Sequence, residues 1–143
     1  MMVFAFRQLG ESTGERIRRV PFRAPVLGTL RRVADELLPL DEQRAVEVRV
    51  YYAFAAKAAT TPGFAEILIE QDRGFQEILR SVFQAAEEAG EMPPGRDHAA
   101  LARMLSSVID GVSLALLAQP RNTDIVAGLD AALALISSCG SGT

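Results

Sequence analysis

Residues 98 to 118 constrain the fold more than any other stretch, because they read as a helix that is apolar on more than one side. One face carries Leu101, Leu105, Val108, Ile109, Val112 and Leu116, and the other carries Ala100, Met104, Ser107, Gly111, Leu114 and Ala118. A helix that is apolar most of the way round needs neighbours in two directions, and small side chains let a second backbone come close. The pattern predicts the chain's own core on the first face and a partner on the second.

A chain of 143 residues, 49% of them hydrophobic, supports one domain with a sizeable core. Arg103 and Asp110 interrupt the most apolar helix, so no run is expected to cross a bilayer and no membrane role is predicted. The N-terminus lacks the order of a secretory signal, and the single Cys139 has no internal disulfide partner, which makes a cytoplasmic location the default. The net charge of −3 hides an asymmetry. Residues 1 to 34 hold seven Arg against two acids, and the remainder holds eight basic against sixteen acidic residues. A solvated basic face and an N-terminal end lying near nucleic acid both fit that distribution.

The expected class is all-α, with about six helices in an antiparallel bundle. Met2 to Arg19 reads as the first, with Val3, Phe6, Gly10, Thr13, Ile17 and Val20 on one side and Gly10 and Gly14 weakening it. Pro25 suits the first position of a second helix whose stripe is Val26, Leu30, Val33 and Leu37, with Arg31, Arg32, Asp35 and Glu36 toward water. Asp41 caps a third helix running to about Thr60, in which Ala45, Val48, Tyr52, Ala55 and Ala59 share a face while Val50, Tyr51 and Phe54 fall elsewhere. Such a helix is embedded between neighbours.

Thr61 and Pro62 open the longest helix, which Gly90 stops. Its predicted stripe is Phe64, Leu68, Gln71, Phe75, Ile78, Val82, Ala86 and Ala89, opposite Glu66, Glu70, Arg73, Glu77, Arg80 and Glu87. Gln71 is the misfit, a neutral amide on an apolar stripe that must find hydrogen bonds from the protein or from a bound molecule. Asp97 caps the helix at 98 to 118, and Asn122 caps a last one. There Ile125, Leu129, Leu133 and Ile136 face the core, and Ala127, Gly128, Ala131 and Leu135 form another small-residue side.

The chemistry-bearing motifs are sparse. There is no Gly-rich phosphate loop, Cys cluster or paired metal-ligand spacing, so neither catalysis nor a cofactor is expected. His98, the single histidine, opens a helix and is expected at the surface, and Asp110 is expected to pair with Arg103 or a backbone group.

The Thr61-Pro62 helix start, the acidic amphipathic long helix, Gly-Glu-Met-Pro-Pro at 90–94, Val-Ile-Asp-Gly-Val at 108–112 and the closing Ala-rich helix resemble a known domain. It is the C-terminal regulatory domain of TetR-family transcriptional repressors, with the BetI-like branch nearest. The resemblance implies that residues 1–20 are the connecting helix after a DNA-binding domain, 21–139 an effector-binding and dimerisation domain, and 140–143 a disordered tail. The family's helix-turn-helix unit is absent from this sequence, which suggests a fragment, a trimmed chain or a misplaced start. Operator DNA would be bound only through that absent unit.

The family mechanism places a small apolar effector in a cavity between the first five helices, assigned here to Phe6, Leu30, Leu37, Tyr51, Tyr52, Phe54, Leu68, Gln71, Phe75 and Met104. It implies a homodimer in which the last two helices of each copy form a four-helix interface, through Ala100, Met104, Ser107, Gly111, Leu114, Ala118, Ala127, Gly128, Ala131 and Leu135. A stand-alone helical ligand carrier or protein-interaction domain with no DNA role is the alternative.

Overall fold

The computed structural model describes residues 2–138, and the expectations for Cys139 and the tail lie outside them. The fold is all-α, built from α1 (Met2–Arg18), α2 (Leu27–Leu37), α3 (Glu42–Ala58), α4 (Pro62–Glu88), α5 (His98–Ala118) and α6 (Thr123–Ser137). Three predicted caps form: Asp41 accepts from the Arg44 N–H at 2.8 Å, Asp97 from Ala100 at 3.1 Å and Asn122 from Asp124 at 2.9 Å. Thr61 takes the N-cap position in extended backbone, but its side chain makes no capping bond. Gly90 ends α4 as expected, at φ +76°, where a Cβ would be strained.

α2 departs from its expected start. Pro25 lies before the helix, and Val26 at its N-cap has no capping side chain. Glu91, just past the end of α4, supplies the missing cap, accepting the Val26 and Leu27 N–H groups at 2.5 and 2.8 Å. The 90–94 motif thus has structural work: Gly90 turns the chain, Glu91 caps a distant helix, and Met92 is buried. Arg96 then reaches back to the Ile136 and Ser138 carbonyls at the end of α6.

The main core lies between α2, α4, α5 and α6, filled by Leu30, Leu38, Leu79, Phe83, Leu105, Leu116, Leu129 and Ile136. On α5 the inward face is the predicted one, with Leu105, Ile109, Val112 and Leu116 buried, and Ala102, Ser106 and Ser113 join it. α5 is long and apolar enough to cross a membrane, contrary to expectation, and its inner face packs against α2, α3, α4 and α6. In the second half of α4 the stripe shifts from that predicted, and Gln76, Leu79, Val82, Phe83 and Ala86 are the buried residues. Gln76 is tolerated there because its Nε2 donates to Ser106 Oγ at 2.9 Å.

A second apolar zone holds α1. Phe6 is fully buried and stacks on Phe54 with centroids 3.9 Å apart, and Phe54 stacks in turn on Phe64 at 4.9 Å.

Polar side chains expected in water are instead tied between helices. Arg31 bridges Asp35 and Asp130, while Glu36 meets Arg44 and Arg16. His98 is only 17% exposed along its side chain, lying over Phe83 with Nε2 3.6 Å from Glu87. Arg103 pairs with Asp72, not with Asp110.

Glu91→Ala removes an ionic cap on two backbone donors, so it should lower stability by about 1 to 3 kcal/mol, with Glu91→Gln retaining part of the difference. Urea unfolding measures this, and an unchanged midpoint would mean that the cap contributes nothing.

Candidate functional site

Two attachments fix α1 to the bundle on one side. The Phe6 stack is the first. The second is Arg16, whose guanidinium forks onto Glu47 at 3.0 and 2.5 Å and also reaches the Glu36 carbonyl at 3.3 Å. These contacts pack α1 on α2 and α3. Between α1 and α4 lies a cavity of about 590 Å3, lined by residues from α1 through α5. That volume falls within the range of small-molecule sites, roughly 300 to 1,000 Å3.

Of the residues assigned to a cavity from sequence, Leu37, Tyr51, Tyr52, Leu68, Gln71 and Phe75 line this one. The other four do not. Phe6 and Phe54 are fully buried in the aromatic stack, which closes the bundle instead of opening it, and Leu30 belongs to the main core. Met104 is 44% exposed on the outward face of α5.

Gly10 on α1 and Gln71 on α4 meet at the cavity. A Cβ at position 10 would lie 2.5 Å from Gln71 Nε2 and 2.9 Å from its Oε1, so the amide rests against bare backbone. The sequence showed Gly10 only as a weak point in a helix; its use is to admit this side chain. Among the described residues, neither the Gln71 amide nor the Tyr51 hydroxyl makes a hydrogen bond. Two polar groups therefore remain available on a largely apolar wall.

The tyrosines differ in state. Tyr52 donates its hydroxyl to the Asp110 carbonyl at 2.6 Å, and its ring meets Tyr51 edge to face at 5.3 Å and 87°. Burial, then the nearby Asp110 and Asp72 carboxylates, pushes the Tyr51 hydroxyl up to about 12, so it stays a neutral donor at any physiological pH. Asp110 stands at the margin of the cavity, reaching solvent with part of its surface. Its partial desolvation, reinforced by the Asp72 charge, raises the carboxyl from 3.8 to about 6. Sequence reading missed Asp110, Asp72 and Arg16 as neighbours of this cavity because their proximity depends on helix packing. The one available signal was a carboxylate set within the apolar run at 108 to 112.

The outward face of α5 and α6 is a separate feature. All ten residues predicted there are exposed, with Leu114 at 56% and Leu135 at 72%, and no atom lies within 4 Å of a Cβ built at Gly111 or Gly128.

Comparison with known proteins follows the same lines. The family model of the BetI-type transcriptional repressor C-terminal domain matches residues 27–139. A crystal structure of a transcriptional regulator from Rhodococcus sp. Rha1 superposes with a TM-score of 0.81 at 29% identity, over 95% of this chain and 71% of that one. Among curated proteins no match is found. The chain belongs to the BetI-type C-terminal domains of TetR-family transcriptional repressors.

Proposed function

We propose that this chain is the effector-binding and dimerising part of a cytoplasmic, non-enzymatic transcriptional repressor. The observation that carries the reading is the cavity beside α1, with unbonded Gln71 and Tyr51 on its apolar wall. A small, largely apolar molecule fits that lining, oriented by the two polar groups. α1 is the connecting helix in this reading. The exposed Met2 and Phe4 of its first turn offer apolar surface to a preceding helix-turn-helix unit. The Rhodococcus regulator is longer than the region it shares with this chain, as a regulator with such a unit would be.

The mechanism follows from where α1 is attached. It is fixed to α2 and α3 by Phe6 and Arg16, whereas toward α4 the Gln71 amide rests on Gly10 and the cavity separates the two helices. A molecule entering that space presses on one side of α1 alone, and the helix answers by tilting about its attached side. In a dimer each tilt changes the spacing of the two DNA-binding units, and half-sites a fixed distance apart are then no longer matched. The small-residue face of α5 and α6 is the dimer contact, joined across a two-fold axis.

Two experiments test the parts separately. The chain should sediment as a dimer at micromolar concentration, and Gly111→Arg, which puts a bulky charge into the proposed seam, should give a folded monomer. A monomeric wild type, or a variant that remains dimeric, removes the interface assignment.

For the cavity, a thermal-shift screen with diverse apolar metabolites should yield ligands, since saturation at a hundredfold excess adds about 2.7 kcal/mol. Gln71→Leu should leave the unliganded stability within about 0.5 kcal/mol, because no protein hydrogen bond is lost, and weaken the best ligand roughly three- to tenfold. A fall in stability with unchanged affinity would assign Gln71 a structural role.

A further inference from the structure

We infer that Ser113, on the buried side of the cavity, is the residue that anchors an effector, its hydroxyl donating to a neutral carbonyl head with an apolar body behind it. This rests on the cavity being an effector site and names the residue and the head group that decide which molecules it keeps. Ser113 lines the cavity and is only 4% exposed, yet among the described residues its hydroxyl makes no hydrogen bond. Buried polar groups are nearly always paired, so one that borders a cavity without a partner marks a place for a guest to bind.

The hydroxyl is free because of a neighbouring helix. A serine inside a helix ordinarily gives its proton to a carbonyl of the preceding turn. Ser81, Ser106 and Ser137 each do so, reaching the carbonyl three residues back at 2.7 to 3.1 Å. For Ser113 the carbonyl three residues back is that of Asp110, and Tyr52 of α3 already donates to it at 2.6 Å. Tyr52 thus takes the partner that Ser113 would otherwise use, and the Ser113 proton is left to the cavity.

The surroundings specify the guest. α4 runs antiparallel to α5, with Gln76 opposite Ser106 and Asp72 near Asp110, and the next turn brings Leu68 level with Ser113. Tyr51, packed edge to face on Tyr52, adds a second hydroxyl with no acceptor. Two protons without acceptors fit a head group that offers lone pairs. A ketone, ester or amide carbonyl offers them without charge, whereas a carboxylate would stand beside Asp110 and Asp72. The apolar body then runs along α4 past Phe75 and Ile78.

The test uses two probes of one shape, benzylacetone and butylbenzene, which differ by a carbonyl in place of a methylene. Calorimetry on the full chain gives both affinities. Ser113→Ala should weaken benzylacetone about three- to tenfold, as one neutral hydrogen bond requires, and leave butylbenzene within about twofold. The unliganded urea midpoint should stay that of the wild type, because no protein hydrogen bond is lost. Tyr52→Phe returns the Asp110 carbonyl to Ser113, so it should weaken benzylacetone by a comparable factor and add nothing in the Ser113→Ala background.

Equal loss of both probes in Ser113→Ala would show an effect of packing and overturn the assignment, leaving an apolar effector site standing. Unchanged benzylacetone affinity in that variant would overturn it as well, and so would a lowered midpoint, which would reveal a bond from Ser113 to the protein. Further weakening by Tyr52→Phe in the Ser113→Ala background would show Tyr52 acting on the guest directly and overturn its part in freeing Ser113. Absence of binding by both probes would remove the effector site itself, and the anchor with it.

Discussion

The stacking of Phe6 on Phe54, reinforced by the Arg16 fork onto Glu47, is the contact on which the functional architecture depends. It holds α1 to one side of the bundle and leaves the other side of that helix facing a cavity. Without it α1 has little to keep it in place: Gly10 and Gly14 weaken the helix, each by up to about 1 kcal/mol relative to Ala. An element that is intrinsically weak and attached along one side can be displaced by a small molecule. A helix packed against four others, such as α5, cannot.

α5 has the opposite role. Its inner face packs on α4 and α6 and closes the main core, and the same helix presents Gly111, Leu114 and their neighbours outward. A rigid central helix with a small-residue outer face suits a fixed seam between copies, against which motion of α1 can be transmitted. The cavity sits between these two regimes. Phe75 and Ile109 reach it from α4 and α5, and Ile17 and Gly10 from α1.

What was legible in the sequence reflects what is local. The two faces of α5 follow from helical period alone, and each lies where the spacing put it. Three of the four caps named from sequence follow from one side chain bonding a backbone group two or three residues on. Gln71 stood out because an amide on an apolar stripe is unusual whatever surrounds it. The errors share the opposite property. Phe6 and Phe54 read as cavity wall because an aromatic on an inward face has the same spacing whether it closes a space or borders it. The cap of α2 by Glu91 joins segments far apart in the chain, as do the close approach of Gln71 to Gly10 and the pairing of Arg103 with Asp72. Such contacts depend on how helices cross, which no periodicity encodes.

If an occupant of the cavity is read by α1, its effect must appear there beyond any general stabilisation of the fold. Hydrogen exchange of the backbone amides, with and without a saturating ligand from the thermal-shift screen, measures this directly. Exchange in α1, around Gly10 and Gly14, is expected to change by a larger factor than exchange in α6, none of whose described residues lines the cavity. Equal changes in α1 and α6, or changes confined to α4 and α5, would show that the cavity and α1 are uncoupled.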